Sequence, residues 1–167
     1  MNKKSHSNGF TLVELLVVVA VFAIIATIAA PNLRTLFLEN RATTQVNQLV
    51  EALNVARSEA VRRNQAVTLC RVGETWADGW ALAPRGSSGE SDCAPGQLRE
   101  GGNLIREWGA LEGATLNLTS SSDLDRIRFD RAGMLEGNPL TFTYTIPGTN
   151  VEPREVGVSA VGRVTRE

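Results

Sequence analysis

The chain has 167 residues, of which 43% are hydrophobic and 21% charged, as expected for one folded domain with or without an appendage. Its formal net charge of −1 argues against a surface that binds polyanions throughout. Both lysines, Lys3 and Lys4, and the only histidine, His6, precede Gly9. The rest of the chain therefore cannot supply a Ser–His or Cys–His nucleophile. We expect no catalytic site, no metal site and no cofactor.

The N-terminal region joins a short basic segment to a long apolar one. Residues 1–9 carry both lysines but no apolar core, whereas 10–30 is almost continuously hydrophobic. As a helix, this run would span ~30 Å, the thickness of a bilayer core. The preceding lysines predict a cytoplasmic leader and an exported C-terminal part. Glu14 is the only charge in the run, and its cost in a membrane predicts a functional role.

The junction between the two segments reads GFTLVE, from Gly9 to Glu14. It resembles the prepilin peptidase site of type IV pilins and type II secretion pseudopilins. The resemblance implies cleavage after Gly9 by prepilin peptidase and N-methylation of Phe10. It also implies assembly at an inner-membrane platform, where Glu14 pairs with the α-amino group of Phe10 of a neighbouring subunit. Snorkelling of Glu14 to the headgroups is the alternative. Pro31 falls where this family has a helix-bending proline.

A second helical segment follows the apolar run. Pro31 removes a backbone hydrogen bond, so we expect a kink or local melting over 26–31. Segment 32–63 has neither Gly nor Pro, and its apolar residues recur three and four positions apart, as on one helix face. We predict that the second half of this stripe packs on a head and the first half on other subunits. The stripe comprises Leu33, Leu36, Phe37, Val46, Leu49, Val50, Leu53, Ala56, Ala60 and Val61.

After residue 64 the pattern predicts short strands separated by Gly, Ser, Asn and Pro clusters. Alternation is clearest over 140–146. The other predicted strands are 66–71, 80–84, 104–108, 114–118, 126–130, 155–160 and 163–166, the last two forming a hairpin around Gly162. The predicted fold class is α+β and pilin-like. It comprises a leader 1–9, a long helix 10–64 with a transmembrane part 10–30, and a β-rich globular head 65–167 packed on the helix.

Two cysteines and three aspartates in the head are candidates for covalent or metal chemistry. Cys70 and Cys93 are an even pair in an exported domain, which predicts a disulfide; a metal pair or a reactive thiol is the alternative. Asp123, Asp125 and Asp130 lack the spacing of a calcium loop, so we expect a solvated turn and strand end.

The head resembles the FimT/GspH group of minor pilins and pseudopilins. The resemblance rests on ARSEAVRRN at 56–64, WADGW at 76–80, IRF at 127–129 before Gly133, and Gly162-Arg163. It implies a structural subunit of a pilus or pseudopilus, with other pilin-type subunits as partners. The protein would be a single-pass inner-membrane protein with a periplasmic head. We expect its tryptophans to anchor the core, with ligand stacking as the alternative: Trp76, Trp80 and Trp108.

The C-terminal tail offers an alternative function, that of a DNA receptor on an uptake pilus. Some FimT-type subunits hold DNA with a G-R-x-R tail, and this chain has Gly162, Arg163 and Arg166 with one extra residue between the arginines. On a strand, Arg163 and Arg166 would face opposite sides, which departs from that pattern. Arg154 would add a third charge. The plain alternative is a solvated terminal strand.

Overall fold

The structure is a computed structural model that describes residues 10–84, 104–119 and 124–166, without the side chains of 28–32 and 118–119. By its internal contacts the chain divides into two compact units, Met1–Leu38 and Glu39–Glu167. Its helix and strands are α1 Leu12–Arg63, β1 Val67–Arg71, β2 Trp80–Pro84, β3 Arg106–Trp108, β4 Thr115–Thr119, β5 Arg126–Phe129, β6 Leu140–Thr145, β7 Arg154–Val158 and β8 Val164–Arg166.

Helix α1 has a capping motif at each end. The hydroxyl of Thr11 accepts the Glu14 N–H at 3.2 Å, and the Glu14 carboxylate accepts the Thr11 N–H at 2.9 Å. This reciprocal pair is a capping box. At the other end Asn64 has a φ of 50°, and the Gln65 N–H donates to the Ala60 carbonyl at 3.2 Å. The helix therefore ends in a Schellman turn at the boundary that the sequence predicts.

Helix α1 runs through Pro31 without a break, so the prediction of local melting over 26–31 is wrong, while a kink there stays a prediction. A proline inside a helix lacks only its own N–H bond, here to the Thr27 carbonyl, while its ring crowds that carbonyl. The preceding turn is otherwise intact, and the Thr27 hydroxyl donates to the Ile24 carbonyl at 2.7 Å. The many remaining bonds of a 52-residue helix carry it across this defect.

The C-terminal half of α1 lies against the head, as predicted. Its buried residues recur at helical spacing: Ala42, Gln45, Val46, Leu49, Ala52, Leu53, Ala56 and Ala60. Within the second half of the predicted stripe, Val50 is half-buried and Val61 is 53% exposed. Val61 lies about 100° round the helix from Ala60 and therefore leaves the buried face. Leu33, Leu36 and Phe37, in the first unit, are more than half exposed.

The head contains two antiparallel sheets. One has the strand order β3-β2-β1-β5 and the other the order β4-β6-β7-β8. Each of the eight predicted strands is confirmed, with bounds that differ by two residues at most. The predicted closing hairpin is β7–β8, in which Val158 pairs with Val164 and Gly162 lies in the turn at a φ of 73°.

The core between these elements is built on aromatic side chains. Trp80, Tyr144, Phe129 and Phe142 are the largest fully buried residues. The edge of Trp76 packs on Phe142 with ring centroids 5.2 Å apart, and its indole N–H donates to the Leu124 carbonyl at 2.9 Å. The prediction that all three tryptophans anchor the core is confirmed, since none is more than 8% exposed.

Candidate functional site

The first turn of α1 holds the residues predicted for processing and assembly. Gly9 lies outside the described residues, and Phe10 is 75% exposed. The Glu14 carboxylate accepts both the N–H and the hydroxyl of Thr11 at 2.9 Å. The sequence signal for this cap is Thr-x-x-Glu before an apolar run, and it lies within GFTLVE. Glu14 therefore has a structural role in the helix start that the assembly hypothesis did not include.

Beyond this turn, α1 presents a continuous apolar surface. Every large hydrophobic side chain from Leu12 to Ile25 is half exposed or more. Among the residues that the structure describes, no helix is both long enough and apolar enough to cross a membrane.

Two of the arginines proposed for DNA binding contact α1 instead of projecting freely. Arg154 donates to the Thr43 hydroxyl at 2.6 Å, and Arg166 donates to Asn47 Oδ1 at 2.7 Å. Thr43 and Asn47 are four residues apart and thus share a helix face. In the β7–β8 register Arg166 lies opposite Val156, whose side chain is fully buried. Arg154 on β7 and Arg166 on the edge strand β8 therefore both attach this sheet to the helix.

Arg163 has a different environment. It precedes β8, in the turn after β7, where its N–H donates to the Ser159 hydroxyl at 3.1 Å. Its side chain is exposed and forms no ion pair within the described part of the chain. Three residues of extended chain, about 10 Å, separate it from Arg166. The structure does not gather Arg154, Arg163 and Arg166 into one cluster.

Three of the residues that carry the FimT/GspH resemblance, Arg57, Gly133 and Gly162, meet at one contact. Arg57 Nε donates to the Gly133 carbonyl at 3.1 Å. A Cβ on Gly162 would lie 2.0 Å from that same carbonyl oxygen, and Gly162 has a positive φ, so only glycine fits. Nearby, the Leu135 N–H donates to the Ala160 carbonyl at 3.0 Å. This contact, which we call the glycine node, joins α1, the turn after β5 and the turn after β7.

A polar network that the sequence did not reveal joins α1 to the head. The Tyr144 hydroxyl donates to Gln45 Oε1 at 2.5 Å in a buried contact. Burial raises the pKa of Tyr144, while the charges of Arg41 and Arg154 act in the opposite direction. Arg41 donates to the Glu112 carbonyl. An open cavity of about 450 Å³ adjoins the network and is lined by Arg41, Thr44, Gln45, Gln48, Ala110 and Glu112.

Cys70 is fully buried on β1 and clusters with Ala81 and Ala83 of the neighbouring strand. Cys93 lies outside the described residues, so the disulfide stays a prediction.

The aspartates behave as turn and surface residues where they are described. Asp130 accepts the N–H groups of Ala132 and Met134 at 2.9 and 2.8 Å, which confirms the predicted turn. Asp125 pairs with Arg126 at 3.1 Å. Asp123 lies outside the described residues. Over residues 10–84, 104–119 and 124–166, no three His, Cys, Asp or Glu side chains cluster as metal ligands.

Comparison with solved structures shows which fold this is. The type IV minor pilin FimU of Pseudomonas aeruginosa is 23% identical, with a TM-score of 0.62 over 77% of this chain and 89% of that one. The minor pseudopilin EpsH of the type 2 secretion system of Vibrio cholerae is 12% identical, with a TM-score of 0.53 over 76% and 96%. E. coli GspH is 15% identical, with a TM-score of 0.50 over 78% and 89%. The chain therefore has a pilin-like α+β fold.

Comparison of the sequence with family models identifies two segments. The model of the prokaryotic N-terminal methylation motif matches residues 4–30, and the model of the type II transport protein GspH matches residues 45–162. No curated protein matches the chain. Because the second model alone covers most of the sequence, the chain belongs to the GspH family of type IV pilin-like proteins.

Proposed function

We propose that the chain is a structural subunit, a minor pilin or minor pseudopilin, of a type IV pilus or of a type II secretion pseudopilus. One observation carries the proposal: a prepilin-type junction at Gly9–Phe10 and an exposed apolar helix precede a GspH-type head in the same chain. Prepilin peptidase removes residues 1–9, and Phe10 becomes the methylated N-terminus. Residues 10–30 hold the subunit in the inner membrane, with the head in the periplasm. The role is structural, not catalytic.

The position of Glu14 supports a role in assembly at the inner-membrane platform. Its carboxylate points to the start of α1, where it already holds the N–H and hydroxyl of Thr11. Cleavage after Gly9 creates the α-amino group of Phe10 at that same helix end. The Glu14 carboxylate of one subunit would neutralise the Phe10 amino group of the next in an apolar filament core, where unpaired charges are costly. Pro31 weakens the helix by one hydrogen bond, and a bend of α1 at this position would adjust how the subunit packs against its neighbours.

The processing step can be tested by mass spectrometry of the protein from cells with and without prepilin peptidase. We expect a mature chain that begins at methylated Phe10 only when the peptidase is present. Gly9→Ala should leave the leader attached. A full-length chain in cells with active peptidase would contradict the proposal.

Deletion of the gene distinguishes the two filament systems. Loss of surface pili with normal secretion assigns the chain to a type IV pilus. Accumulation of secreted proteins in the periplasm with normal pili assigns it to a pseudopilus. Normal pili and normal secretion together would argue against both.

DNA binding is a second candidate function, and the environment of Arg163 favours it. This guanidinium is exposed and has no ion pair within the described residues, so it is available to a phosphate. Arg154 and Arg166 would have to leave Thr43 and Asn47 to join it. DNA would therefore bind mainly through Arg163, with weaker help from the other two.

The DNA candidate can be tested by titrating the detergent-solubilised mature chain into labelled duplex DNA at about 50 and about 200 mM salt. Arg163→Ala should weaken salt-sensitive binding, whereas Arg126→Ala, at an arginine paired with Asp125, should not. No binding at the lower salt concentration would reject this candidate.

A further inference from the structure

The head leaves a small group of large hydrophobic side chains in solvent. Within the described part of Glu39–Glu167, these are Val61, Met134 and Val161, which are 53%, 47% and 60% exposed. They come from three separate elements: α1, the turn after β5 and the turn after β7. An exposed apolar group of this kind indicates an interaction site when its members are adjacent.

The glycine node brings these three residues together. A Cβ on Gly133 would lie 2.9 Å from Cγ2 of Val61, which places the turn after β5 directly against this part of α1. A Cβ on Gly162 would lie 2.0 Å from the Gly133 carbonyl oxygen, so the turn after β7 packs directly against the turn after β5. Met134 and Val161 are the chain neighbours of these two glycines. Val61, Met134 and Val161 thus form one surface, which we call the apolar patch.

Arginines surround the apolar patch. Arg57, Arg131 and Arg163 form no ion pair within the part of the chain that the structure describes. Arg62 and Arg63 follow Val61 on α1, but both are paired with Glu59 at 2.6 and 2.7 Å, and at about 100° per residue Arg63 lies on the opposite side of the helix. The turn that contains Met134 has two carboxylates: Asp130 accepts the N–H groups of that turn, and Glu136 is paired with Arg128 at 3.3 Å. The surroundings are therefore positive although the whole chain is slightly negative.

We propose that the apolar patch docks a neighbouring pilin-type subunit, through a segment that carries apolar side chains flanked by Asp or Glu. This rests on the proposed function as a filament subunit. Complementary charge selects an acidic partner, and the apolar centre supplies area to bury. A protein segment fits better than DNA, because phosphates gain nothing from three exposed aliphatic side chains.

The patch is preorganised for docking. Its three elements are fixed by the bond from Arg57 to the Gly133 carbonyl and by the bond from the Leu135 N–H to the Ala160 carbonyl. A surface that is already ordered loses little conformational entropy on binding. The partner therefore meets a rigid surface.

The proposal can be tested by photo-crosslinking the full-length chain in cells that assemble its filament. Benzoylphenylalanine replaces Val161, or Met134 as an independent second position. Asn150, an exposed residue between β6 and β7, is the control in the head. Benzoylphenylalanine in place of Phe22, on the apolar surface of α1, shows whether the chain has been incorporated into a filament. We expect Val161 and Met134, but not Asn150, to give an adduct with another prepilin-type subunit. The crosslinked peptide should contain Asp or Glu.

Charge reversal adds a second readout. Arg131→Glu with Arg163→Glu should lower the Val161 adduct by about tenfold or more, because like charges would then face each other. Arg126→Glu, at an arginine on β5 beside Asp125, should leave the adduct unchanged.

The outcomes separate this proposal from the proposed function. An adduct at Phe22 with none at Val161 or Met134 would overturn the docking proposal and leave the filament subunit intact. No adduct at any position would reject both. An adduct with DNA, or with a protein outside the prepilin class, would overturn the docking proposal in favour of that ligand.

Discussion

At the residue scale, Glu14 has a local role in the structure and a proposed intermolecular one. Its carboxylate completes the capping box with Thr11, which starts α1. The same carboxylate is the charge proposed to meet the Phe10 amino group of the next subunit. Glutamine can replace glutamate in a capping box but carries no charge. Substitution can therefore separate the two roles.

We predict that Glu14→Gln, like Glu14→Ala, permits membrane insertion but blocks incorporation into filaments. Thr11→Ala should cost about 1 kcal/mol of helix stability but leave incorporation intact. Fractionation of membranes and of sheared filaments, with immunoblotting, measures both steps. Normal incorporation of Glu14→Gln would show that the cap, and not the charge, is required.

The glycine node gives a second prediction at this scale. Gly162→Ala should destabilise the head by about 3 kcal/mol, because its Cβ meets the Gly133 carbonyl and its φ is positive. Gly148 is the matched control: its φ of 71° is similar, but no atom lies within 4 Å of its Cβ position. Gly148→Ala should cost about 1 kcal/mol for backbone strain alone. Urea unfolding followed by tryptophan fluorescence compares them, and equal losses would contradict a steric role for the node.

Residue-level features differ in how far the sequence reveals them. The GFTLVE string identifies the prepilin-type junction because its signal is contiguous. The bond between Tyr144 and Gln45 joins residues 99 positions apart, and neither residue type in isolation predicts a partner. The positive φ of Gly162 could be expected from its hairpin turn, but its contact with Gly133 depends on the tertiary fold.

At the element scale, the sequence predicts well which strands exist but poorly how they pair in the sheets. All eight strands follow from alternation and turn residues, which are local signals. The pairing of β5 with β1, and of β4 with β6, depends on contacts between residues that are far apart in the sequence. The prediction of local melting at Pro31 is wrong for a related reason: the rule considers the one lost hydrogen bond and not the other bonds of a long helix.

Tyr144 links α1 to β6 and makes stability depend on pH. Burial raises its folded-state pKa above the ordinary tyrosine value of about 10. As the pH rises past that value, the unfolded chain loses the phenolic proton first, so the free energy of unfolding falls. We predict an alkaline loss of stability that is smaller in Tyr144→Phe. This variant should also lose about 1 kcal/mol at neutral pH, because Gln45 Oε1 loses its donor.

The titration itself can be observed directly. Tyr144 is the only tyrosine in the chain, so phenolate absorbance reports this side chain alone. A midpoint at the ordinary tyrosine value in the folded protein would contradict the effect of burial.

The predicted disulfide adds a covalent link at Cys70 on β1. Cys93→Ser should cost about 3 kcal/mol if the loop to Cys70 is closed in the native protein. Cys70→Ser should cost more, because a hydroxyl would also be buried beside Ala81 and Ala83. Urea unfolding with and without reductant measures both. A wild-type chain that is insensitive to reductant would contradict the disulfide.

At the scale of the whole molecule, the two compact units differ in what covers their apolar residues. In Glu39–Glu167, α1 and two sheets enclose a common core, and the first buried residue of the helix is Ala42. In Met1–Leu38, the described apolar side chains are exposed except that of Leu38, which is half-buried, as in a segment that needs other subunits or lipid. This difference predicts which N-terminally truncated fragments of the chain can fold.

We therefore predict that a fragment beginning at Glu39 folds cooperatively and that one beginning at Glu51 does not. The longer fragment keeps every buried residue of α1. The shorter one loses Val46 and Leu49, worth about 2 to 3 kcal/mol each, and leaves Tyr144 and Arg154 without their helix partners. Such losses are comparable to the ~5–15 kcal/mol stability of a whole domain. Thermal unfolding monitored by tryptophan fluorescence tests both fragments. A cooperative transition in the shorter fragment would show that the sheets hold together without this part of the helix, and that α1 serves the filament more than the head.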